Sequence, residues 1–236
     1  QRKAIELNPD FAIAHSNLGN LLKDLGNLQE AELSTRKAIE LKPDLAEAHS
    51  NLGNILRDLG KLKELVLSSE STLESSSINQ GYKLLALFDI TIANFIQGNF
   101  SETLLNLNRT NKSIKRGDLN FIKDNKNKKN TLVYSQFITS LYPNLLKENN
   151  NQNSEIIPHI GESHCLSFSH QTLSISSQLK QIQPVLIMGG KAWHFANNKH
   201  NQWKDSLKQQ IKNHTYSNKV LISFGEIDCR KDEGIL

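Results

Sequence analysis

Three short turns in the last third of the chain combine glycine with polar or titratable side chains. Each follows an apolar run, at 156–160, 185–188 and 220–224, and their sequences are Gly161-Glu162-Ser163-His164, Gly189-Gly190-Lys191 and Gly225-Glu226-Ile227-Asp228. Short apolar runs rich in β-branched residues are typical of buried parallel strands. In open α/β sheets, sites form at the carboxyl ends of the strands. The three turns together therefore predict a functional site at this end of the sheet.

The segments between these runs have the spacing of helices. Residues 166–182 and 201–213 both carry it, and a polar linker at 148–154 precedes the first run. Strands that alternate with helices indicate a parallel sheet. Residues 155–236 are thus predicted to form a βαβαβ domain.

The turns resemble the motif blocks of the SGNH (GDSL-like) hydrolases, a family with a flavodoxin-like sheet that mostly contains esterases and acyl hydrolases. The resemblance implies that Ser163 is the nucleophile and that its backbone N–H lies in the oxyanion hole. It assigns a second oxyanion N–H to Gly190, or in second place to Gly189, and a site-orienting role to Asp228. The implied substrate is an acylated glycan or lipid, and no cofactor is implied.

Two departures from the family pattern affect this expectation. Ile227 stands where the family has an asparagine, and loss of one such oxyanion donor typically costs about a hundred- to a thousandfold in rate. The Asp-x-x-His block that supplies the base is absent. We therefore expect this chain alone to be inactive or nearly so. The alternative hypotheses are a domain that binds a ligand without turnover, and a serine that caps a helix.

Histidine and cysteine side chains near the turns leave further alternatives open. His159, His164 and His194 lie near strand ends, and His194 is the candidate substitute base, although a structural or substrate-contacting histidine is favoured. Cys165 and Cys229 each follow a turn. In a doubly wound sheet the first and third strands are neighbours, so the two thiols are expected to lie close together. Buried reduced thiols are favoured over a disulfide. The spacing matches no zinc motif, so no metal is predicted.

The first third of the chain repeats itself at an offset of 34 residues. Ala4-Ile5-Glu6-Leu7 recurs as Ala38-Ile39-Glu40-Leu41, and Ala14-His15-Ser16-Asn17-Leu18-Gly19-Asn20 recurs as Ala48-His49-Ser50-Asn51-Leu52-Gly53-Asn54. Within one unit, apolar residues mark one helix that ends at Gly26 and a second helix over 29–41. A fixed period of this length predicts a solenoid of helical pairs.

The unit resembles the tetratricopeptide repeat (TPR). Gly19, Ala31 and Ala38 occupy positions where that family brings two helices into close contact, and Pro43 closes the unit. Gln1 then falls inside the second helix of a preceding repeat, so the chain is interpreted as a fragment. The predicted domains are TPR repeats at 1–78, of which the first is truncated, and a degenerate helical extension at 79–147.

Two helical features are predicted inside this extension. Residues 82–114 are expected to form a degenerate helical pair. A further helix, marked by Tyr134, Ile138, Leu141 and Leu145, is expected to cap the open end of the solenoid. The predicted fold class is therefore α plus α/β: a TPR α-solenoid followed by an incomplete flavodoxin-like, SGNH-type parallel sheet.

The first helix of each repeat presents polar residues on what we call the inner face. The inner-face residues are Asn17, Asn20, Lys23, Asn51, Asn54 and Arg57. An asparagine amide both donates and accepts, so it pairs with a peptide backbone of any sequence. The unit is similar to the repeats of O-GlcNAc transferases, whose asparagine ladder is matched by Asn17 and Asn51. That resemblance implies a protein or peptide partner on the concave face, whereas the alternative is that these asparagines only satisfy helix ends.

Composition and charge exclude several classes of protein. The chain has 236 residues, 37% hydrophobic and 22% charged, and a net charge of +4. Eight Lys and Arg residues against two Asp lie between 109 and 129, but Phe121 is the single aromatic residue there. Nucleic-acid binding would need several stacking rings, so residues 109–130 are interpreted as a basic, solvated loop and no nucleic-acid partner is predicted.

The same composition predicts no membrane span and leaves the compartment undecided. No run of about 18 apolar residues occurs, so no membrane span is predicted. The cytoplasm is slightly favoured, although a leader would not be visible here. The leading hypothesis is an interaction scaffold that carries an ester- or acyl-hydrolysing domain, and the alternative is a non-enzymatic binding scaffold.

Overall fold

The computed structural model describes residues 5, 8, 10–148, 155–161, 163–166, 169–175, 178–188, 195, 200–213 and 220–223. The chain divides into two compact units, Gln1–Gln136 and Phe137–Leu236. The described part of the first unit is helical, and the second unit contains a sheet.

Paired helices follow one another through the first unit. They are α1 (Ala12–Asp24), α2 (Leu28–Leu41), α3 (Ala46–Asp58), α4 (Leu62–Glu74), α5 (Gln80–Gln97) and α6 (Phe100–Arg116). The predicted second helix of the repeat is confirmed, with its start one residue earlier, at Leu28. Gly26 and Gly60 follow α1 and α3 with φ angles of 83° and 72°, a left-handed conformation that glycine adopts without strain.

The helices of the repeat approach each other at small residues. A Cβ atom on Gly19 would meet the Thr35 hydroxyl and would lie 3.1 Å from the Ala31 carbonyl oxygen. Ala31 and Ala38 are fully buried. The predicted close contact between the two helices is therefore confirmed, and its cause is the absence of a side chain at Gly19.

α5 is the helix on which the later pairs are assembled. Every residue from 84 to 96 is buried, because α5 packs against α3, α4 and α6. A helix that is apolar on nearly all sides is a core helix. Asn79 caps its start by accepting hydrogen bonds from the backbone N–H groups of Gly81 and Tyr82. The predicted helical pair at 82–114 is confirmed as α5 and α6.

The basic loop predicted at 109–130 is wrong, because most of this segment is helical. α6 continues to Arg116, a 3₁₀ turn spans Asp118–Phe121, and α7 begins at Asn125. Thr110 and Ser113 are buried, while Lys112, Lys115 and Arg116 are exposed. The sequence suggested a loop from 109 onward because the buried residues at the end of α6, Thr110 and Ser113, are small hydroxyl residues rather than apolar ones.

α7 (Asn125–Glu148) contains the helix that was predicted near Tyr134 and Ile138. Within the first unit, Thr131, Tyr134 and Ser135 are buried. The Tyr134 ring lies 6.5 Å from the Phe88 ring of α5. The amino-terminal part of α7 therefore packs along α5.

The second unit contains a four-stranded mixed sheet. Its strands are β1 (Glu155–Gly161), β2 (Thr172–Ile175), β3 (Gln178–Leu186) and β4 (Leu221–Ser223), in the order β2-β3-β1-β4. β1 is parallel to both β3 and β4, whereas β2 is antiparallel to β3. The prediction that the first and last apolar runs are neighbours is confirmed, since His159 lies beside Leu221 and Gly161 beside Ser223.

The helix predicted over 166–182 is wrong, and with it the purely parallel sheet. This segment holds β2 and the start of β3. Burial alternates along β3, with Lys180, Ile182 and Pro184 buried and the residues between them half-buried. Period-two burial is the mark of a strand, and it was concealed here because Lys180 is one of the buried residues. Its ammonium group pairs with the Glu155 carboxylate on β1.

One face of this sheet is covered by a helix that was predicted correctly, α8 (Gln202–Asn213). Ile160, Val185 and Ile187 form the core on that face, and Phe195, Trp203 and Leu207 pack against them. Among the residues that the structure describes, no helix is both long and apolar enough to cross a membrane.

Candidate functional sites on the inner helical face and at the sheet edge

A buried ion pair lies at the inner face of the second repeat. Arg57 on α3 donates to the Asp89 carboxylate on α5 at 2.7 Å and to the Asn54 side-chain oxygen at 2.5 Å. Arg57 is 6% exposed and Asp89 is 7% exposed. Burial raises the pKa of Asp89 to about 6, although the Arg57 guanidinium opposes that shift. Two of the predicted peptide-binding residues, Asn54 and Arg57, are therefore engaged within the helical unit.

α7 borders the same surface. A narrow cleft of about 10 Å³, the size of a single water molecule, is lined by Ser50, Asn54, Arg57, Leu85, Phe88, Asp89, Asn127, Asn130 and Thr131. The last three residues belong to α7. The inner face at the second repeat is thus in contact with another segment of this chain, and that segment presents amide and hydroxyl groups to it.

The inner face at the first repeat is more open. Asn17 and Asn20 are exposed on α1, whereas Asn51, the equivalent of Asn17, is half-buried and donates to the Ser16 hydroxyl at 3.2 Å. The Lys23 side chain is 12% exposed and its ammonium lies 3.0 Å from the Asp24 carboxylate. Asn17 and Asn20 therefore remain accessible to a ligand from solvent.

Charges of both signs cluster where α1, α3, α5 and α7 approach one another. The cations are Lys23, Arg57 and Lys126, and the carboxylates are Asp24, Asp58 and Asp89. Burial raises the pKa of Asp58, and this outweighs the attraction of Arg57 and the two lysines. The pattern of a single repeat does not predict this cluster, because its members come from four different helices.

A second polar network joins α2 to the start of α4. The Glu32 carboxylate accepts from Arg36 at 2.8 Å and from Lys61 at 2.8 Å, and Arg36 also reaches Glu64 at 2.7 Å. Burial by itself would raise the pKa of Glu32, but the hydrogen bonds and charges of Lys61 and Arg36 outweigh it and lower the pKa. The network links two successive repeats.

An open groove of about 490 Å³ lies between α2, α3 and α4. It is lined by Arg36, Ile39, His49, Leu52, Glu64, Leu67, Ser68 and Ser71. His49 is held at both ring nitrogens, 2.7 Å from the Pro43 carbonyl oxygen and 3.2 Å from the Thr72 hydroxyl. These contacts hold His49 in one orientation on the groove wall.

The predicted nucleophile lies next to the carboxyl end of the central strand. Ser163 begins a 3₁₀ turn, Ser163–Leu166, two residues after β1 ends. Cys165 in this turn is buried. The other predicted site residues, Gly190 and Asp228, lie outside the described residues, as do Gly189, His194 and Cys229.

A histidine and a serine that sequence inference did not pair meet at this edge. The Nε2 atom of His159 on β1 lies 2.8 Å from the Oγ atom of Ser223 on β4. His159 is 5% exposed, and its burial lowers the pKa of the imidazole. The predicted adjacency of the two strands was the signal that would have found this pair, because it brings the two carboxyl ends together.

Comparison with known proteins identifies one part of the chain. Residues 12–45 match the family model of the tetratricopeptide repeat, and this range spans α1 and α2. No curated protein matches the chain. The comparisons lend no support to the SGNH resemblance of the second unit. The chain therefore contains a tetratricopeptide repeat at residues 12–45, followed by further paired helices.

Proposed function

We propose that the helical unit is a protein-interaction scaffold that binds a peptide segment through the inner face of its first repeat. The observation that carries this proposal is the exposure of Asn17 and Asn20 within a matched TPR unit. Their amides offer donors and acceptors that suit a peptide backbone. Stacked helical repeats present extended concave surfaces of the kind that suits such binding.

The contacts that Asn54 and Arg57 make in the second repeat also support this proposal. Asn127, Asn130 and Thr131 of α7 line a cleft with them. This surface therefore accepts a helix of the chain itself that carries amide and hydroxyl groups. A peptide partner with similar side chains would fit the first repeat, where Asn17 and Asn20 are not engaged in this way.

Selection of peptides against the full chain tests the proposal. A peptide selected from a random displayed library is titrated against the wild type, against an Asn17→Ala/Asn20→Ala double variant, and against Asn108→Ala, an exposed asparagine on α6. Loss of two backbone hydrogen bonds is expected to weaken binding by about tenfold or more. The Asn108→Ala control should bind within about twofold of wild type. Equal affinity of all three proteins would contradict a site at Asn17 and Asn20.

A second proposed function is acyl or ester hydrolysis by the sheet unit, on an acylated glycan or lipid. Its support is the order of the parallel strands, in which β1 lies between β3 and β4. The chain first adds strands on one side of β1 and then adds β4 on the other side, which makes β1 a topological switch point. Ligands bind at such switch points, outside the carboxyl ends of the strands, and Ser163 follows β1 there. The alternative for the same edge is ligand binding without turnover.

Turnover of a chromogenic acyl ester distinguishes hydrolysis from ligand binding alone. Because the Asp-x-x-His block is absent, we expect this chain to hydrolyse the ester slowly at most. If Ser163 is the nucleophile, Ser163→Ala should lose that remaining rate. Ser169→Ala, which changes a buried hydroxyl in the following segment, is the matched control. Saturable binding without hydrolysis would favour the binding domain instead.

A further inference from the structure

We propose that Ser223 is a nucleophile and that His159 is its general base, so that the sheet edge can attack esters with an apolar acyl group. The geometry points to this role because the Ser223 Oγ and His159 Nε2 atoms lie 2.8 Å apart. A nucleophile and its base must lie within hydrogen-bond distance, about 2.6–3.2 Å. Nothing in the hydrolase proposal for Ser163 assigns a role to either residue.

The strand register explains why these side chains meet. Ser223 is paired with Gly161, and His159 is two residues before Gly161 on β1. Residues two apart on a strand lie on the same sheet face, so Ser223 and His159 share one face. A Cβ atom on Gly161 would lie 2.7 Å from the Ser223 Oγ atom and 2.6 Å from the Ser223 carbonyl oxygen. Only glycine leaves Ser223 the space beside His159.

The protonation state of His159 also suits a base. Burial lowers the pKa of the imidazole from its ordinary value of 6.5, so the ring is neutral at pH 7. A titratable group near His159 on this face is the buried Cys165 thiol, in the 3₁₀ turn that contacts β1 and β4. His170 is also buried, and its backbone N–H donates to the Ile182 carbonyl oxygen of β3. The Lys180–Glu155 ion pair lies at the opposite end of β1. β4, Leu221–Ser223, and the preceding Val220 carry no charged side chain.

The reaction balances with these two residues and water. As the Ser223 Oγ atom forms a bond to the carbonyl carbon, its proton passes to His159 Nε2 and the carbonyl electron pair moves to the oxygen. The carbon–oxygen double bond then re-forms, the alkoxide leaves, and it takes the proton from Nε2. Water repeats the same steps on the acyl-serine, which releases the carboxylic acid and restores Ser223.

The substrate class follows from what borders Ser223. Ser223 is half-buried and accessible at the edge strand, while Leu221, on the same face, is 39% exposed. An exposed leucine two residues away provides an apolar contact for the acyl chain. We expect esters with a short aliphatic acyl group to react in preference to charged acyl groups.

Site mapping with a fluorophosphonate probe on the full chain tests the proposal. The expected result is a phosphonylated Ser223 peptide in mass spectrometry, absent in Ser223→Ala and retained in Ser163→Ala. His159→Gln should slow labelling by about a hundredfold or more, the usual size of general-base catalysis. Thermal melting of each variant verifies that the sheet unit is folded. An adduct at Ser163 alone would overturn this proposal and favour the hydrolase proposal instead, whereas no adduct at either serine in folded protein would overturn both.

A thiol variant tests the base without requiring a serine to react. In Ser223→Cys, His159 should accelerate alkylation by iodoacetamide by about tenfold or more relative to Ser174→Cys, an exposed position on β2. The acceleration should persist at pH 6.5, because the pKa of His159 is lowered, and it should vanish in Ser223→Cys/His159→Gln. Equal alkylation rates for the two cysteines in folded protein would show that His159 has a structural role only.

Discussion

The first helices of the two repeats, α1 and α3, carry nearly the same residues but have different surroundings. Asn17 and Asn20 are exposed, whereas Asn51 and Asn54 are half-buried and hydrogen-bonded. Lys23 meets an exposed carboxylate on its own helix, while Arg57 meets the buried Asp89 of α5. Nearly identical local sequence thus produces the same helix twice, and the neighbouring helices decide whether its polar face is structural or available for binding.

Removal of the two equivalent cations should give the largest difference between the repeats. Arg57→Ala would leave Asp89 buried without its guanidinium, and breaking such a pair costs about 3–5 kcal/mol. Lys23→Ala removes a pair whose Asp24 partner is exposed, and is expected to cost less than Arg57→Ala. Urea denaturation monitored by helical circular dichroism measures both. Similar losses in the two variants would refute the difference between the repeats.

Substitution of either of the two equivalent glycines, Gly19 and Gly53, should lower the free energy of unfolding, but for different reasons. A Cβ atom at Gly53 would meet the Asp89 carboxylate, and one at Gly19 would meet the Thr35 hydroxyl. Such overpacking costs about 1–3 kcal/mol at each position. Because Asp89 also holds Arg57, Gly53→Ala and Arg57→Ala should be non-additive in a double-mutant cycle, whereas Gly19→Ala and Lys23→Ala should add. Additive losses in both pairs would contradict this explanation.

The free energy of unfolding should depend on pH because of Asp89. Its pKa is about 6 in the folded protein and near 3.8 when unfolded, so the folded state binds more protons between these values. Asp89 therefore contributes stability at low pH that is lost as pH rises from about 4 to about 6, on the order of 3 kcal/mol. Melting temperatures of Asp89→Asn should lack this fall. An unchanged pH profile in the variant would exclude Asp89 as its source.

Glu32 should change the free energy of unfolding with pH in the opposite direction. Its pKa is lowered in the folded protein by Lys61 and Arg36, so its contribution is present above its unfolded pKa and is lost as pH falls. Glu32→Gln should cost about 1 kcal/mol at pH 7, since Arg36 and Lys61 are partly exposed, and much less near pH 3. Denaturation at the two pH values measures the difference, and an equal cost at both would contradict it.

The inner-face asparagines should show the smallest effects on stability. Asn17→Ala and Asn20→Ala are each expected within about 0.5 kcal/mol of wild type, as for exposed sites generally. Asn51→Ala and Asn54→Ala each remove a hydrogen bond and should cost about 1 kcal/mol. Thermal melts of the four variants make the comparison. A larger loss at Asn17 than at Asn51 would mean that the open inner face belongs to the second repeat.

Sequence patterns predicted the repeated helices correctly and failed in two other segments. The 34-residue period located α1 to α4 within a residue or two, because a repeated unit carries its contacts at fixed offsets. The segment at 109–130 failed, because Thr110 and Ser113 form a buried face that hydropathy does not register. The segment at 166–182 failed because β3 buries Lys180, whose partner Glu155 lies on another strand.

The candidate sites, too, were predicted only where a local sequence pattern marks them. The inner face was predicted as a set of residue types, but sequence alone did not separate Asn17 and Asn20 from Asn54 and Arg57. That separation depends on Asp89 and on α7, which lie 32 or more residues further along the chain. Ser163 was found from its local motif, whereas the His159–Ser223 pair was not, because no local pattern joins residues 64 apart.

The sequence by itself determined the helical repeats and the strand-forming runs, because both arise from periodic patterns that act over a few residues. Tertiary structure alone decided which polar groups are buried together: Arg57 with Asp89, and His159 with Ser223. The physical reason is that the pKa and reactivity of a side chain depend on desolvation and on partners within a few ångströms. Those partners are supplied by elements that only folding brings into contact.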